Sequence, residues 1–150
     1  GREKLVKGVA EIIRAMQGDP LKGQAVFARS CGVCHKIHGA GQEVGPDITL
    51  NGRASFEQLL SNIFDPNLVI GTAYQAHTVV TTRGRVVSGL LVEDSKDKVV
   101  LKVQGGAVET FPRSEIEVNE RSTISLMPEG LEAGMSVQDM ADLLTFIETL

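Results

Sequence analysis

The sequence is poor in three features, and each shortage argues against a class of protein. No apolar run approaches the length that a membrane-spanning helix needs, so we expect no membrane span. Basic residues are not in excess: the net charge is −4 at neutral pH, which argues against nucleic acid as a partner. The chain also lacks an initiating methionine and the basic and apolar segments of a signal peptide, so we expect any export signal to be absent from it.

Cysteine is scarce as well, and the two that occur lie in one motif, Cys31-Gly32-Val33-Cys34-His35. A Cys-x-x-Cys pair serves as half of a zinc site, as a dithiol redox centre or as the start of a c-type haem attachment site. A structural zinc site usually takes four ligands from two such pairs, and the sequence has no second pair. A thioredoxin-like dithiol centre begins a helix after a buried strand, whereas the segment before Cys31 is helical in character.

The haem interpretation also accounts for the histidine. Two thiols at this spacing can form thioethers to the two vinyl groups of one haem, and the next residue is then held under the porphyrin. The imidazole of His35 can bind iron from there. The motif therefore predicts one covalent haem c, with Cys31, Cys34 and His35 as its attachment and ligand residues.

The iron has a sixth position, for which several side chains compete. Met127 lies in the irregular segment "SLMPEG", in which Pro128 restricts the backbone and Gly130 allows it more conformations. Such a loop can direct a thioether towards a metal. We therefore favour Met127 over the alternative that it only fills a gap in the core. Met135, in the loop before the last helix, stays open as a second choice. Core packing, strand position or closeness to His35 disfavours the remaining candidates. These are Met16, Met140, His38 and His77.

Helical patterns at the two ends flank a middle that is rich in β-branched residues. We predict helices over 3–17, from Pro20 to about Ser30, from Ser55 to Phe64 and from Ser136 onward. In the first of these the predicted apolar face consists of Leu5, Val9, Ile12, Ile13 and Met16. Residues 37–54 are predicted to be a loop because they contain four glycines and a proline. The middle predicts an antiparallel meander of four or five strands with turns at 83–84, 94–97 and 104–106, and hence an α+β fold.

These motifs together resemble a class I c-type cytochrome. In that family the first and last helices cross at a small residue and aromatic side chains, and Gly23, Phe27 and Phe146 match those positions. Gly45-Pro46 matches the loop beside the proximal histidine, whose carbonyl oxygen orients the imidazole. The resemblance implies a mainly α cytochrome c fold with the β meander inserted into it.

The sequence from about residue 20 to 150 is also similar to the haem-binding domain family of planctomycetes and verrucomicrobia. This similarity implies a cytochrome c domain over 19–150, a β insertion at about 73–120, and a connecting helix over 1–18. Domains of that family often lie at the end of larger extracytoplasmic proteins, which commonly contain dehydrogenase-like modules. The similarity therefore implies fusion to such a module and a periplasmic or other extracytoplasmic location.

A haem ligated by histidine and methionine has no open position for a substrate, which suits one-electron transfer to a redox partner protein rather than an enzyme. Arg53 or Tyr74 is a candidate to reach a haem propionate, and the basic residues Lys22, Arg29 and Lys36 are candidates to dock the partner. Expected walls of the haem are Leu50, Leu59, Leu60, Ile63 and Phe64. Three alternatives stay open: a haem sensor or catalyst with a displaceable sixth ligand, a sheet that docks another protein, and a dithiol protein.

Overall fold

In the part of the chain that the structure describes, four helices combine with a five-stranded antiparallel sheet, in agreement with the predicted α+β class. A computed structural model describes residues 2–49 and 55–148. The helices are α1 (Glu3–Arg14), α2 (Pro20–Ser30), α3 (Phe56–Phe64) and α4 (Val137–Glu148). Two short strands, β1 (Lys36–Ile37) and β2 (Ala40–Gly41), precede the sheet strands β3 (Gln75–Thr81), β4 (Val86–Asp94), β5 (Lys98–Lys102), β6 (Val108–Pro112) and β7 (Ile116–Ser125). Within the described ranges no helix is long and apolar enough to cross a membrane.

Side-chain caps define where the helices begin. The Asp19 carboxylate accepts the Leu21 and Lys22 N–H groups ahead of Pro20, at the start of α2. At the start of α4, Ser136 and Asp139 cap each other reciprocally: the Ser136 hydroxyl accepts the Asp139 N–H and the Asp139 carboxylate accepts the Ser136 N–H. These caps satisfy N–H groups that have no partner within the helix, so the predicted starts of both helices are confirmed.

Helices α2 and α4 cross at a point where no side chain fits. A Cβ atom on Gly23 would lie 1.9 Å from the Asp142 carbonyl oxygen and 2.7 Å from the Phe146 Cβ. One turn further along α2, the rings of Phe27 and Phe146 pack with their centroids 5.8 Å apart at 57°. The predicted crossing of a small residue and two aromatic residues is therefore present.

The buried face of α1 differs from the predicted one. Val6, Ala10 and Ile13 enter the helical core, whereas Leu5 and Ile12 are 45 % and 56 % exposed. The prediction of Leu5 and Ile12 as core residues was wrong, because α3 and α4 approach the other side of the helix. α1 thus packs as part of the helical core, and its separation at residue 18 as a connecting helix stays a prediction.

The sheet is not a simple meander. Its strand order is β6-β5-β4-β3-β7, so the first four strands are sequential neighbours and the last one returns to the free edge of β3. The predicted turns at 83–84, 94–97 and 104–106 all connect adjacent strands, and β3 to β6 form a four-stranded meander as predicted. A five-stranded meander would place β7 beside β6, whereas β7 lies beside β3. Pairing along β3 covers the edge nearest to where the chain leaves the helices, and it brings the chain back to them.

The molecule contains two separate hydrophobic clusters. The helical cluster joins buried residues of all four helices, and the sheet cluster consists of Val79, Val87, Val99, Leu101 and Phe111. A hydrogen bond joins the sheet to the helical part where the Gly105 N–H, in the β5–β6 turn, donates to the Val33 carbonyl oxygen at 2.9 Å. The sheet therefore touches the cysteine motif directly.

Candidate functional site

The cysteine motif forms a tight turn at the carboxyl end of α2. The Cys31 N–H donates to the Phe27 carbonyl at 2.8 Å and ends the helix, and the His35 N–H donates to the Cys31 carbonyl at 2.8 Å. One turn of backbone thus carries both sulfurs and the imidazole. A single flat group that bonds to all three side chains would be held by this short segment alone.

The orientation of His35 is fixed from behind. Its Nδ1 lies 2.7 Å from the Pro46 carbonyl oxygen. Because a carbonyl only accepts hydrogen bonds, Nδ1 carries the proton and the Nε2 lone pair is left for a metal. This is the contact that the family resemblance implies for Pro46.

The loop behind His35 approaches the imidazole closely. A Cβ on Gly45 would lie 2.5 Å from His35 Cε1, so a side chain at this position would push the ring away. The Cys34 carbonyl accepts the Val44 and Gly45 N–H groups at 2.9 and 2.6 Å, which ties the loop to the motif. The His35 imidazole is therefore held between the cysteine motif on one side and Gly45 and Pro46 on the other.

A small hairpin occupies part of the predicted loop. β1 and β2 pair through a turn at His38 and Gly39, whose φ values of 48° and 80° are typical of a two-residue hairpin turn. His38 is exposed, and its N–H donates to the Thr49 hydroxyl at 2.7 Å. The Asp47 carboxylate in turn accepts the Thr49 N–H at 2.9 Å. Sequence reasoning missed this network, for which the Asp-Ile-Thr spacing was an available turn signal.

The environment of the two thiols opposes a dithiol redox centre. Burial raises the pKa of Cys31 to about 12, with a further contribution from Cys34, and burial also raises the pKa of Cys34. Reactive cysteines have lowered pKa values and often lie at helix N-termini, whereas this motif follows a helix C-terminus.

The donor atoms also oppose zinc. Within residues 2–49 and 55–148, no three His, Cys, Asp or Glu side chains converge on a point that could hold a metal ion. Two thiols in one turn beside an oriented imidazole fit the donor set of a covalently attached haem instead.

Burial separates the candidates for the sixth ligand only in part. Met140 is 3 % exposed near the start of α4 and is a core residue. Met16, Met127 and Met135 are all partly buried against the helical cluster. Met127 follows β7 in irregular backbone, where its N–H donates to the Ser125 hydroxyl at 3.1 Å. His77, on β3, contacts the Asn119 side chain on β7.

Those of the remaining predicted site residues that the structure describes lie on two separate elements. Tyr74 lies in a 3-10 turn before β3 and is 37 % exposed, and Arg53 and Leu50 lie outside the described residues. Leu59, Leu60, Ile63 and Phe64 are buried on α3 within the helical cluster.

The three predicted docking cations lie along the α2–β1 segment. Lys22 and Arg29 belong to α2, and Lys36 begins β1. Arg29 lies 3.9 Å from Asp139 and Lys36 lies 4.0 Å from Glu43, in pairs open to solvent. Exposed pairs of this kind contribute little stability, so they leave these cations available to a partner's surface.

Comparison with known proteins points in the same direction as the geometry. The cytochrome c family model matches residues 21–86, which include the cysteine motif and Pro46. The match ends at the first residue of β4, so Met127 and α4 lie beyond it. It supports a c-type cytochrome with haem as cofactor and electron transport as its function. A search of curated proteins found no match to the chain.

Proposed function

We propose that this chain is a monohaem c-type cytochrome that transfers single electrons, with haem bound to Cys31 and Cys34 and ligated by His35 and Met127. The observation that carries the proposal is the 2.7 Å bond between His35 Nδ1 and the Pro46 carbonyl. It leaves Nε2 free to bind iron immediately after two thiols at the haem-attachment spacing.

Each residue has a distinct part in this proposal. A bound haem supplies an iron that alternates between the ferrous and ferric states. The two cysteines fix the macrocycle to the end of α2, and the Pro46 carbonyl makes the His35 imidazole a stronger donor. The soft thioether of Met127 favours ferrous iron and raises the reduction potential. If His35 and Met127 both held the iron, no position on it would remain for a substrate, which favours electron transfer over catalysis.

The proposal extends to the setting of the domain. We infer that the sheet is an insertion between the haem-attachment site and the distal methionine of a class I fold. As in the haem-binding domain family that the sequence resembles, the protein acts outside the cytoplasm and exchanges electrons with a redox partner or a fused dehydrogenase-like module. The cations Lys22, Arg29 and Lys36 belong to the surface of this chain that docks the partner.

Covalent attachment is tested by mass and by absorption. The chain is expressed with a working haem-ligation system, and the denatured protein is weighed. We expect the mass of one haem to remain on the wild type and to be reduced or lost in Cys31→Ala and Cys34→Ala. A colourless wild-type protein with two titratable thiols contradicts the proposal.

The sixth ligand is tested with a matched pair of variants. The haem-loaded wild type should be low-spin in both oxidation states, show a weak methionine-to-ferric charge-transfer band, and take up CO slowly. Met127→Ala should keep the haem but lose the band, whereas Met135→Ala, which removes the same side chain nearby, should keep both. Loss of the band in Met135→Ala alone would assign the ligand to Met135. Rapid CO uptake by the ferrous wild type would favour a haem sensor.

A further inference from the structure

One side chain spans the place where the chain leaves the helical part and the place where it returns. Asn67 follows the end of α3, and Ser125 is the last residue of β7. The Asn67 Oδ1 accepts the Ser125 N–H at 2.7 Å, and its Nδ2 donates to Glu129 Oε1 at 2.9 Å. The amide therefore holds the chain on both sides of Met127.

The same bonds reach the backbone of Met127. The Ser125 hydroxyl accepts the Met127 N–H at 3.1 Å, so Met127 is two hydrogen bonds away from Asn67. A turn aims the Asn67 side chain: Pro66 is buried, and the Leu68 N–H donates to the Asp65 carbonyl at 3.1 Å. The position of the Met127 segment is thus set from the end of α3.

The bridge requires an amide at position 67. It must accept a hydrogen bond from a backbone N–H and donate one to a carboxylate at the same time, which a carboxylate or an apolar side chain cannot do at neutral pH. Without the bridge, the residues on either side of Met127 would lose their direct hydrogen bonds to the segment after α3. The remaining hydrogen-bonded link lies further along the chain, where Arg2 donates to both the Phe64 carbonyl and Glu132. Bringing together the two ends of so long a segment as the sheet costs conformational entropy. The two hydrogen bonds of Asn67 offset part of this cost, because they join the residues where the segment begins and ends.

We propose that Asn67 is a positioning residue for the sixth iron ligand, and that its bridge keeps Met127 bound in spite of the long sheet segment. The inference rests on the proposed function and deepens it. It explains how the segment that carries Met127 is held in place although the sheet separates it in sequence from the helices before it. It also favours an electron carrier over a sensor, because a methionine held in place does not give way to an incoming ligand.

The test uses the haem-loaded full chain and four variants. Asn67→Ala removes both hydrogen bonds, Asn67→Asp replaces the donor with a like charge facing Glu129, and Glu129→Ala removes one bond at an exposed position. The double variant Asn67→Asp with Glu129→Gln reverses donor and acceptor and restores the bridge. Gln58→Ala is the control, because it removes another exposed amide bond, to Asn62, on α3.

Two measurements report how firmly Met127 is held. One is the CO association rate of the ferrous protein, and the other is the pH at which the ferric charge-transfer band is lost as the pH is raised. We expect CO uptake to become about tenfold faster in Asn67→Ala and Asn67→Asp, as expected for the loss of one or two hydrogen bonds. The band should be lost at lower pH in both variants. Glu129→Ala should lie between them and the wild type, and the double variant and Gln58→Ala should match the wild type.

The outcomes separate this inference from the proposed function. If the wild type carries covalent haem and shows the band, but Asn67→Ala and Glu129→Ala leave both readouts unchanged, the positioning role is wrong and the proposed function stands. Failure of the double variant to restore Asn67→Asp would also overturn the role. If Asn67→Ala does not fold, Glu129→Ala and the double variant decide. A wild type without the band overturns the inference together with methionine ligation.

Discussion

Asp47 is a partly buried residue whose charge supports the loop behind the imidazole. Hydrogen bonds from the Thr49 hydroxyl and the Thr49 N–H lower the pKa of the Asp47 carboxyl, and the charges of Lys36 and His38 add to this effect. The Thr49 hydroxyl also accepts the His38 N–H. The carboxylate therefore joins the β1–β2 hairpin to the segment that follows Pro46.

This network predicts a pH dependence of stability. Because the folded pKa of Asp47 lies below the unfolded value of about 3.9, its contribution is fully present above that value. The contribution is lost as the pH falls through the lower folded pKa. Denaturant unfolding of the haem-loaded chain between about pH 5 and pH 3 should show a smaller loss of stability in Asp47→Asn than in the wild type.

A control separates this effect from general acid denaturation. Glu11→Gln removes an exposed carboxylate from α1, far along the chain from the loop. Its acid profile should follow the wild type. If Asp47→Asn and Glu11→Gln give the same profile, the Asp47 network does not stabilise the loop.

At the level of helices, the α2–α4 crossing depends on the absence of a side chain at Gly23. In Gly23→Ala the added Cβ would meet the Asp142 carbonyl oxygen at 1.9 Å, and this backbone atom cannot rotate away. We expect the free energy of unfolding to fall by about 1–3 kcal/mol or more, as for other overpacked cores. Denaturant unfolding followed by haem absorption and by circular dichroism measures the change.

A second glycine provides the matched control. Gly8 lies within α1, and a Cβ there would meet no atom within 4 Å. Gly8→Ala should therefore stabilise the protein by about 0.5–1 kcal/mol, through helix propensity alone. A similar loss of stability in both variants would show that the close contact at Gly23 is unimportant.

The elements also show what a sequence can predict. Helix starts at Asp19, Ser55 and Ser136 were predictable because capping is local and each cap lies within three residues of its partner. The buried face of α1 was not, because its apolar residues fit two overlapping faces and the neighbouring helices decide between them.

Asp142 was missed for the same kind of reason. It is 2 % exposed within an otherwise apolar face of α4, and its Oδ1 accepts the Asp19 N–H at 2.8 Å and a Gln138 side-chain N–H at 2.8 Å. Its partner Asp19 lies at the other end of the sequence.

The contact between His35 and Pro46 could be anticipated from a family pattern, whereas the Asn67 bridge joins residues with no local signal.

For the whole molecule, the strand order and the two hydrophobic clusters are the features that no local pattern fixes. β7 could pair with the free edge of β6 or of β3, and no local pattern in its sequence decides between them. The choice of β3 follows from where the chain has to rejoin the helices. The resulting sheet has its own core, in which Val79, Val99 and Leu101 are fully buried.

Two separate cores predict two regions of stability. Leu101→Ala in the sheet and Leu143→Ala in α4 remove the same atoms from fully buried positions. Each should lower the opening free energy of its own region by about 2–5 kcal/mol. Amide hydrogen exchange should show faster exchange in β3–β6 for Leu101→Ala and in α2 and α4 for Leu143→Ala.

The haem provides a check on this division. Leu101→Ala should keep the ferric charge-transfer band, because the loss falls on the sheet rather than on the helical core. Uniform acceleration of exchange over all elements in both variants would instead describe one cooperative unit.

The hydrogen bond from the Gly105 N–H to the Val33 carbonyl has a consequence for how the protein is made. Val33 lies between the two cysteines, and its partner comes far later in the sequence. A cofactor that attaches to both cysteines before the sheet has folded would therefore meet an unrestrained segment, whereas one that attaches afterwards would meet a segment tied to the β5–β6 turn.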